Sequence, residues 1–149
     1  ENSRVGQVTD YDKLIMNING KLGVIDTQDA IIGNPMYDLV SLIDDVRIKV
    51  PYKIKKLSFN YYIKKNRIKK KDVLFYKNDF DILSIQRNLK ILGIFYRLYK
   101  RDNKPKYLSY IPYTWSLIEL RSKNKIFKNL KKLLDRAIKK NLRNKKFLI

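Results

Sequence analysis

The chain contains no cysteine and no histidine. The first absence excludes disulfide frameworks, Cys-type zinc sites, iron–sulfur clusters and thiol catalysis. The second excludes His-based triads, His metal ligands and imidazole acid–base work. Any catalysis must draw on carboxylates, Lys, Arg, Tyr, Ser or Thr. Glycine is scarce as well: the five glycines, Gly6, Gly20, Gly23, Gly33 and Gly93, form neither a Gly-x-Gly-x-x-Gly loop nor a Walker pattern. No apolar run approaches the roughly 18–20 residues that span a bilayer, and Glu1-Asn2-Ser3-Arg4 is no signal peptide, so a soluble, cytoplasmic chain is expected. Acid is in short supply, 14 Asp+Glu against 34 Lys+Arg, for a net charge of +20. At about 100–200 residues per domain, the 149 residues are one domain or part of one. With 44% hydrophobic residues the chain can build a core.

The charge is uneven. Residues 1–45 hold eight acids and three bases, a balance of −5, so the remaining 104 residues carry +25. The acidic stretch is where metal-dependent chemistry could sit, because Asp oxygens are hard ligands suited to Mg²⁺. The basic stretch, with aromatics Tyr52, Phe59, Tyr61 and Tyr62 among its lysines, permits a helical nucleic-acid-binding module. A strongly AT-biased genome would produce the same richness in Lys, Ile, Asn and Tyr without any polyanion partner. The runs Lys64 to Lys71 and Lys139 to Lys146 read first as solvated: a charged helix face and a frayed helix end.

Two short β-branched runs, Leu14 to Ile18 and Lys21 to Asp26, flank Asn19-Gly20, the strongest short hairpin signal, since both residues accept the positive φ of a type I′ turn. A β-hairpin over 14–26 would deliver Asp26 at the end of its second strand. Gly33-Asn34-Pro35 punctuates a loop. Beyond it Leu39, Val40, Leu42 and Ile43 take helical spacing, with Asp38 near the positive end of the helix dipole. Helical patterns continue over Tyr52–Lys70, over Phe80–Lys100 with Ile82, Ile85, Leu89, Leu92, Phe95, Tyr96 and Tyr99 on one side, over Tyr107–Arg121 with a break near Pro112, and over Ile126–Leu142. The expected architecture is α+β and mostly α, a hairpin followed by about five helices over 35–149.

An Asp at the end of a buried strand is costly unless compensated. Asp26 could cap the following turn or hold a cation. The segment Gly23-Val24-Ile25-Asp26-Thr27-Gln28-Asp29-Ala30, continued through Tyr37-Asp38-Leu39 to Asp44-Asp45, resembles the aminoglycoside phosphotransferase and choline-kinase-like superfamily, with its Ile-Asp-x-x-Asp-Ala motif and a Tyr-Asp-Leu helix start. A second block, Gln86-Arg87-Asn88-Leu89-Lys90-Ile91-Leu92-Gly93 to Leu98 with Arg101-Asp102-Asn103-Lys104-Pro105 to Leu108, is similar to the branch that phosphorylates cell-wall amino sugars at the anomeric position, the N-acetylmuramate/N-acetylglucosamine kinases. The resemblance runs from about residue 14 to about residue 121.

That resemblance implies the C-terminal lobe of a protein-kinase-like fold, ATP and Mg²⁺ as cofactors and a sugar as acceptor. It implies that Asp26 holds Mg²⁺ on the ATP phosphates, that Asp29 is a weaker ligand or a loop cap, and that Asp38 steadies the catalytic loop through backbone hydrogen bonds. Thr27 stands where many relatives have an aromatic. The family's His-x-Asp loop with a later Asn should lie in residues 1–13. With the hairpin aligned without gaps its Asp falls on Val8 and its Asn on Lys13. A two-residue shortening puts Asp10 in the Asp position, as a candidate base or a solvated loop carboxylate. The nucleotide-binding N-terminal lobe is missing, and the start at Glu1 points to truncation, a frameshifted gene or a decayed one. Arg87, Arg97, Arg101 and Lys104 are candidates for a basic rim holding anionic groups of a sugar phosphate.

Overall fold

The computed structural model describes residues 14–16, 22–24 and 33–145. Strands β1 (Leu14–Met16) and β2 (Leu22–Val24) pair antiparallel, with Leu14 opposite Val24 and Met16 opposite Leu22. The Asn19-Gly20 pair and residues 25–32 lie outside the described residues, and the described residues from Met36 onward are helical with short connections.

Helix α1 (Met36–Ile43) starts where Asn34 and Pro35 make it start. The Asn34 side-chain oxygen accepts the Met36 N–H at 2.9 Å and its backbone carbonyl accepts the Tyr37 N–H at 3.0 Å, which satisfies donors that a helix start leaves open. Asn34 also donates to Asp79, and the Tyr62 hydroxyl donates to the Pro35 carbonyl at 3.2 Å. The entry to α1 is thereby tied to two later helices.

Those are α2 (Tyr52–Lys65) and α3 (Val73–Lys100). Helix α2 ends five residues before the expected Lys70. Arg67 adopts a left-handed φ of 53°, and the N–H groups of Arg67 and Ile68 turn back to the carbonyls of Lys64 and Ile63, both at 3.1 Å, a Schellman-type stop. A 3₁₀ turn (Lys70–Asp72) then leads into α3, which starts seven residues earlier than its apolar pattern suggests and, at 28 residues, runs about 42 Å. It packs against α1, against α4 (Ile111–Arg121) and against a 3₁₀ segment (Pro105–Tyr110). Pro112 sits in the first turn of α4, where its missing N–H costs nothing, so the expected break lies at Tyr110–Ile111. The expected 126–142 helix is also divided: a 3₁₀ turn (Lys125–Phe127), α5 (Lys128–Ala137), an extended Ile138, then α6 (Lys140–Arg143).

Two apolar clusters flank α3. One joins Met36, Leu39, Val40 and Ile43 of α1 to Phe80, with Phe59 edge-on to Phe80 at 5.7 Å. The other joins Val46, Phe95 and Leu117, with Tyr107 stacked on Phe95 at 5.8 Å. Between them the buried face of α3 is polar: Asp81, Ser84 and Asn88 are at most 1% exposed. The expected stripe is corrected accordingly. Ile82, Tyr96 and Tyr99 face solvent, while Ile85 and Phe95 are buried.

What fills the middle is an ion network centred on Asp44, which follows α1 and is fully buried. Its Oδ1 accepts from Lys55 Nζ at 2.8 Å and from Arg121 Nη2 at 2.9 Å, and its Oδ2 from Ser84 Oγ at 2.6 Å and Arg121 Nε at 2.8 Å. Lys55 also caps the Ile43 carbonyl. The Arg121 guanidinium lies 4.6 Å from the Phe80 ring centre and 3.7 Å from Asp81. Asp81 is in turn held by Lys77 at 2.7 Å and Asn124 at 3.0 Å. One carboxylate therefore ties α1 to α2, α3 and α4. Asp44→Ala would leave Lys55 buried without its counterion and Arg121 with Asp81 alone, at 3.7 Å, and denaturant titration is expected to show a loss of about 3–5 kcal/mol. Asp102, partly exposed and paired with the exposed Arg101, is the control, since Asp102→Ala should change stability by no more than about 0.5 kcal/mol.

Candidate functional site

Asp10, Asp26 and Asp29, the expected base and metal ligands, lie outside the described residues. Among the described residues no group of three or more Asp or Glu side chains is placed to hold a metal ion. The remaining expected residues, Asp38, Arg87, Arg97, Arg101 and Lys104, are all described.

Asp38 stands in the first turn of α1, as its position after Pro35 dictates. Its Oδ1 is buried and has no hydrogen-bond partner among the described residues. Burial pushes its carboxyl pKa up. One turn further along, on the same side of the helix, Ser41 Oγ is also buried without a partner among the described residues. Native structures leave few such groups, and here two fall on one helix. Ser41 escapes a sequence reading because a lone Ser in an apolar helix has no pattern of its own. Chemically the pair offers a carboxylate acceptor and a hydroxyl, both suited to holding backbone amides of a neighbouring segment.

Asp45, beside the network carboxylate, is 2% exposed. It accepts the Arg47 N–H at 2.6 Å and the Arg47 guanidinium at 3.0 Å. Burial raises its carboxyl pKa, and the hydrogen bonds from Arg47 together with the charge of Arg87 outweigh that and leave it lowered. Arg87 is thus a neighbour of Asp45, half-buried, with Nη1 enclosed and without a partner among the described residues.

The expected basic rim is not one rim. Arg97, Arg101 and Lys104 gather around Asp102, which all three hold below the usual carboxylate range, Arg101 foremost. Arg101 grips Asp102 at 2.6 and 3.1 Å, so its fork is already occupied. Arg87 lies ten residues back along α3, about 15 Å by helical rise. The nucleic-acid expectation loses two of its four aromatics: Phe59 and Tyr62 pack on the α1 core, leaving Tyr52 and Tyr61 exposed. The bases of the 64–71 run are exposed, as a solvated face should be. The C-terminal run differs from a frayed end, because Arg143 is 2% exposed. Its guanidinium sits 5.0 Å from the Trp115 ring centre, bonds Glu119 at 3.1 Å and Asp135 at 2.9 Å, and caps the Leu134 and Ile138 carbonyls. A groove of about 930 Å³ opens beside the ion network, with Lys77, Asp81, Glu119, Arg121 and Asn124 in its wall. Among the described residues, none of the expected Asp38, Arg87, Arg97, Arg101 and Lys104 lines it.

Because burial raises the Asp38 pKa, its ionisation works against the fold: the stabilising protonated form is present below the ordinary carboxylate range and is lost as pH rises through the raised value. Asp38→Asn is therefore expected to stabilise the chain at neutral pH and to narrow its advantage over wild type as pH falls below that range, read by denaturation at stepped pH. An advantage independent of pH would contradict the assignment.

No family model matches the chain. It is similar to three bacterial proteins named N-acetylmuramate/N-acetylglucosamine kinase. The one from Neisseria meningitidis is 39% identical over 103 residues, 66% of this chain and 30% of the relative. That from Caulobacter vibrioides is 29% identical over 118 residues, 79% of this chain and 32% of the relative. That from Pseudomonas aeruginosa is 35% identical over 101 residues, 65% of this chain and 30% of the relative. The chain thus matches a stretch of about 30% of the length of these curated relatives, and its described residues are mostly helical.

Proposed function

We propose that this chain is the C-terminal part of an ATP-dependent amino-sugar kinase that acts in the cytoplasm. The observation that carries the reading is the similarity of about two thirds or more of the chain to proteins named as such kinases. The unpartnered Asp38 oxygen supports it, since the role implied for Asp38 is to accept backbone N–H groups of a catalytic loop, and an enclosed carboxylate oxygen with no donor of its own suits that task. In this reading Asp26 supplies the carboxylate for Mg²⁺, with Asp29 in support, and hard oxygen donors are the chemistry that ion takes. Bound there, Mg²⁺ would neutralise charge on the ATP phosphates. The chain's own part is positioning: α1 carries Asp38 on a helix whose far end is locked by the Asp44 network. Arg87, Arg97 and Lys104 remain proposed contacts for anionic substrate groups, with Arg101 engaged by Asp102.

Phosphoryl transfer needs positioning and charge neutralisation from more than this portion. The chain by itself is expected to bind Mg²⁺·ATP weakly and to transfer no phosphoryl group to N-acetylmuramate or N-acetylglucosamine. The substitutions at the motif positions, Val8 and Lys13 in place of the catalytic-loop Asp and Asn, favour a second reading, an inactive remnant that keeps the fold. Calorimetric titration with ATP, with and without Mg²⁺, tests the proposal: Asp26→Ala should weaken the Mg²⁺-dependent binding about tenfold or more. Identical binding by wild type and variant would remove the metal role of Asp26.

A further inference from the structure

Helix α5 has the sharpest division of apolar and charged sides of any helix among the described residues, yet it has no buried residue. Leu130, Leu133 and Ala137, extended backwards by Ile126 of the preceding turn, recur at i, i+4, i+7 and i+11, one continuous stripe. Most of the stripe faces water: Leu133 is 61% exposed and Ile126 49%, Ala137 is exposed, and Leu130 is half-buried. Around it stand Lys128, Lys131, Lys132, Arg136, Lys139 and Lys140, all exposed. The one acid in that span, Asp135, is already paired with Lys131 and Arg143. Arg143, enclosed against Trp115 and Glu119, anchors the far end of this segment to α4 and so leaves the stripe turned outward.

An exposed aliphatic stripe gains by leaving water, and the bases beside it gain from negative charge. A second copy of the chain would meet the stripe with its own six like charges. A nucleic acid would neutralise the bases but leave Ile126 and Leu133 in water, and the stripe offers no aromatic ring for base stacking. The surface that satisfies both halves is an anionic phospholipid bilayer, with the stripe at the boundary of headgroups and acyl chains and the lysines among the headgroups. We infer that α5 docks the chain on such a surface. The docking is peripheral, since no helix among the described residues is long and apolar enough to cross a membrane. It does not depend on the kinase reading, because no residue proposed for that chemistry lies on α5.

Co-sedimentation of the full chain with vesicles tests the inference, using phosphatidylcholine alone and an equimolar mixture with phosphatidylglycerol. The chain should pellet with the mixed vesicles and partition about tenfold or more less onto the neutral ones. Leu133→Asp, an exposed substitution that should leave thermal unfolding unchanged, and the double variant Lys131→Glu/Lys132→Glu should each cut partitioning about tenfold. Failure to pellet with mixed vesicles, equal pelleting with neutral ones, or full retention by Leu133→Asp would each overturn it. The last outcome, together with comparable retention on duplex DNA, would identify a general polyanion surface in place of a lipid one.

Discussion

A carboxylate shut away from water must be matched by cations or donors on nearly every lone pair, and Asp44 meets that demand with one side chain from each of three other helices. Lys55 comes from α2, Ser84 from α3 and Arg121 from α4. Burial pushes the carboxyl pKa up, and the hydrogen bonds and charges of Arg121 and Lys55 pull it below the usual range. Its stabilising contribution is therefore complete above the ordinary carboxylate range and is lost as pH falls through the lowered value. A buried ion cluster adds less net stability than apolar packing of the same volume would. What it adds is geometry: the carboxylate can be satisfied in one arrangement of α1, α2, α3 and α4, whereas apolar side chains tolerate sliding.

Helix α1 links that constraint to the proposed chemistry. Its C-terminal end leads directly into Asp44 and Asp45, and its first turn carries Asp38. Eight residues separate the locked end from the start, a rise of about 12 Å, so the helix acts as a short rigid arm. Asn34 and the Tyr62 hydroxyl fix the other end from outside. The unpartnered oxygens of Asp38 and Ser41 are thus held in place by contacts on either side of them. Such preorganisation lets an acceptor serve a neighbouring loop without ordering cost at the moment of binding.

The helical character after Pro35 was legible because Leu39, Val40 and Ile43 keep helical spacing and Asn34-Pro35 marks the start. The placement of α3's buried face was not. Asp81, Ser84 and Asn88 look like solvent positions to any reading that equates apolar with inside, and Ile82, Tyr96 and Tyr99 look like core. Only their partners, Asp44 some forty residues earlier and Arg121 some forty later, make the polar face the inner one, and no local pattern carries that pairing. Arg143 was hidden for the same reason: within a run of lysines nothing local separates the one base enclosed by Trp115 and Glu119 from its solvated neighbours. The site was legible chiefly through motif. Asp38 drew attention by its Tyr-Asp-Leu setting, and Ser41, with no motif, did not. The grouping of the basic residues was not legible, because adjacency in sequence put Asp102 within reach of Arg101 and a long helix sets Arg87 apart from Arg97.

The four-helix arrangement depends on Asp44 and Arg121 acting as one unit across 77 residues of sequence. A double-mutant cycle on urea unfolding, with Asp44→Asn, Arg121→Met and their combination, measures that directly. The structure predicts a coupling of about 2–3 kcal/mol, with the double variant far less damaged than the sum of the single ones. A coupling below about 0.5 kcal/mol, the size found for independent sites, would contradict it.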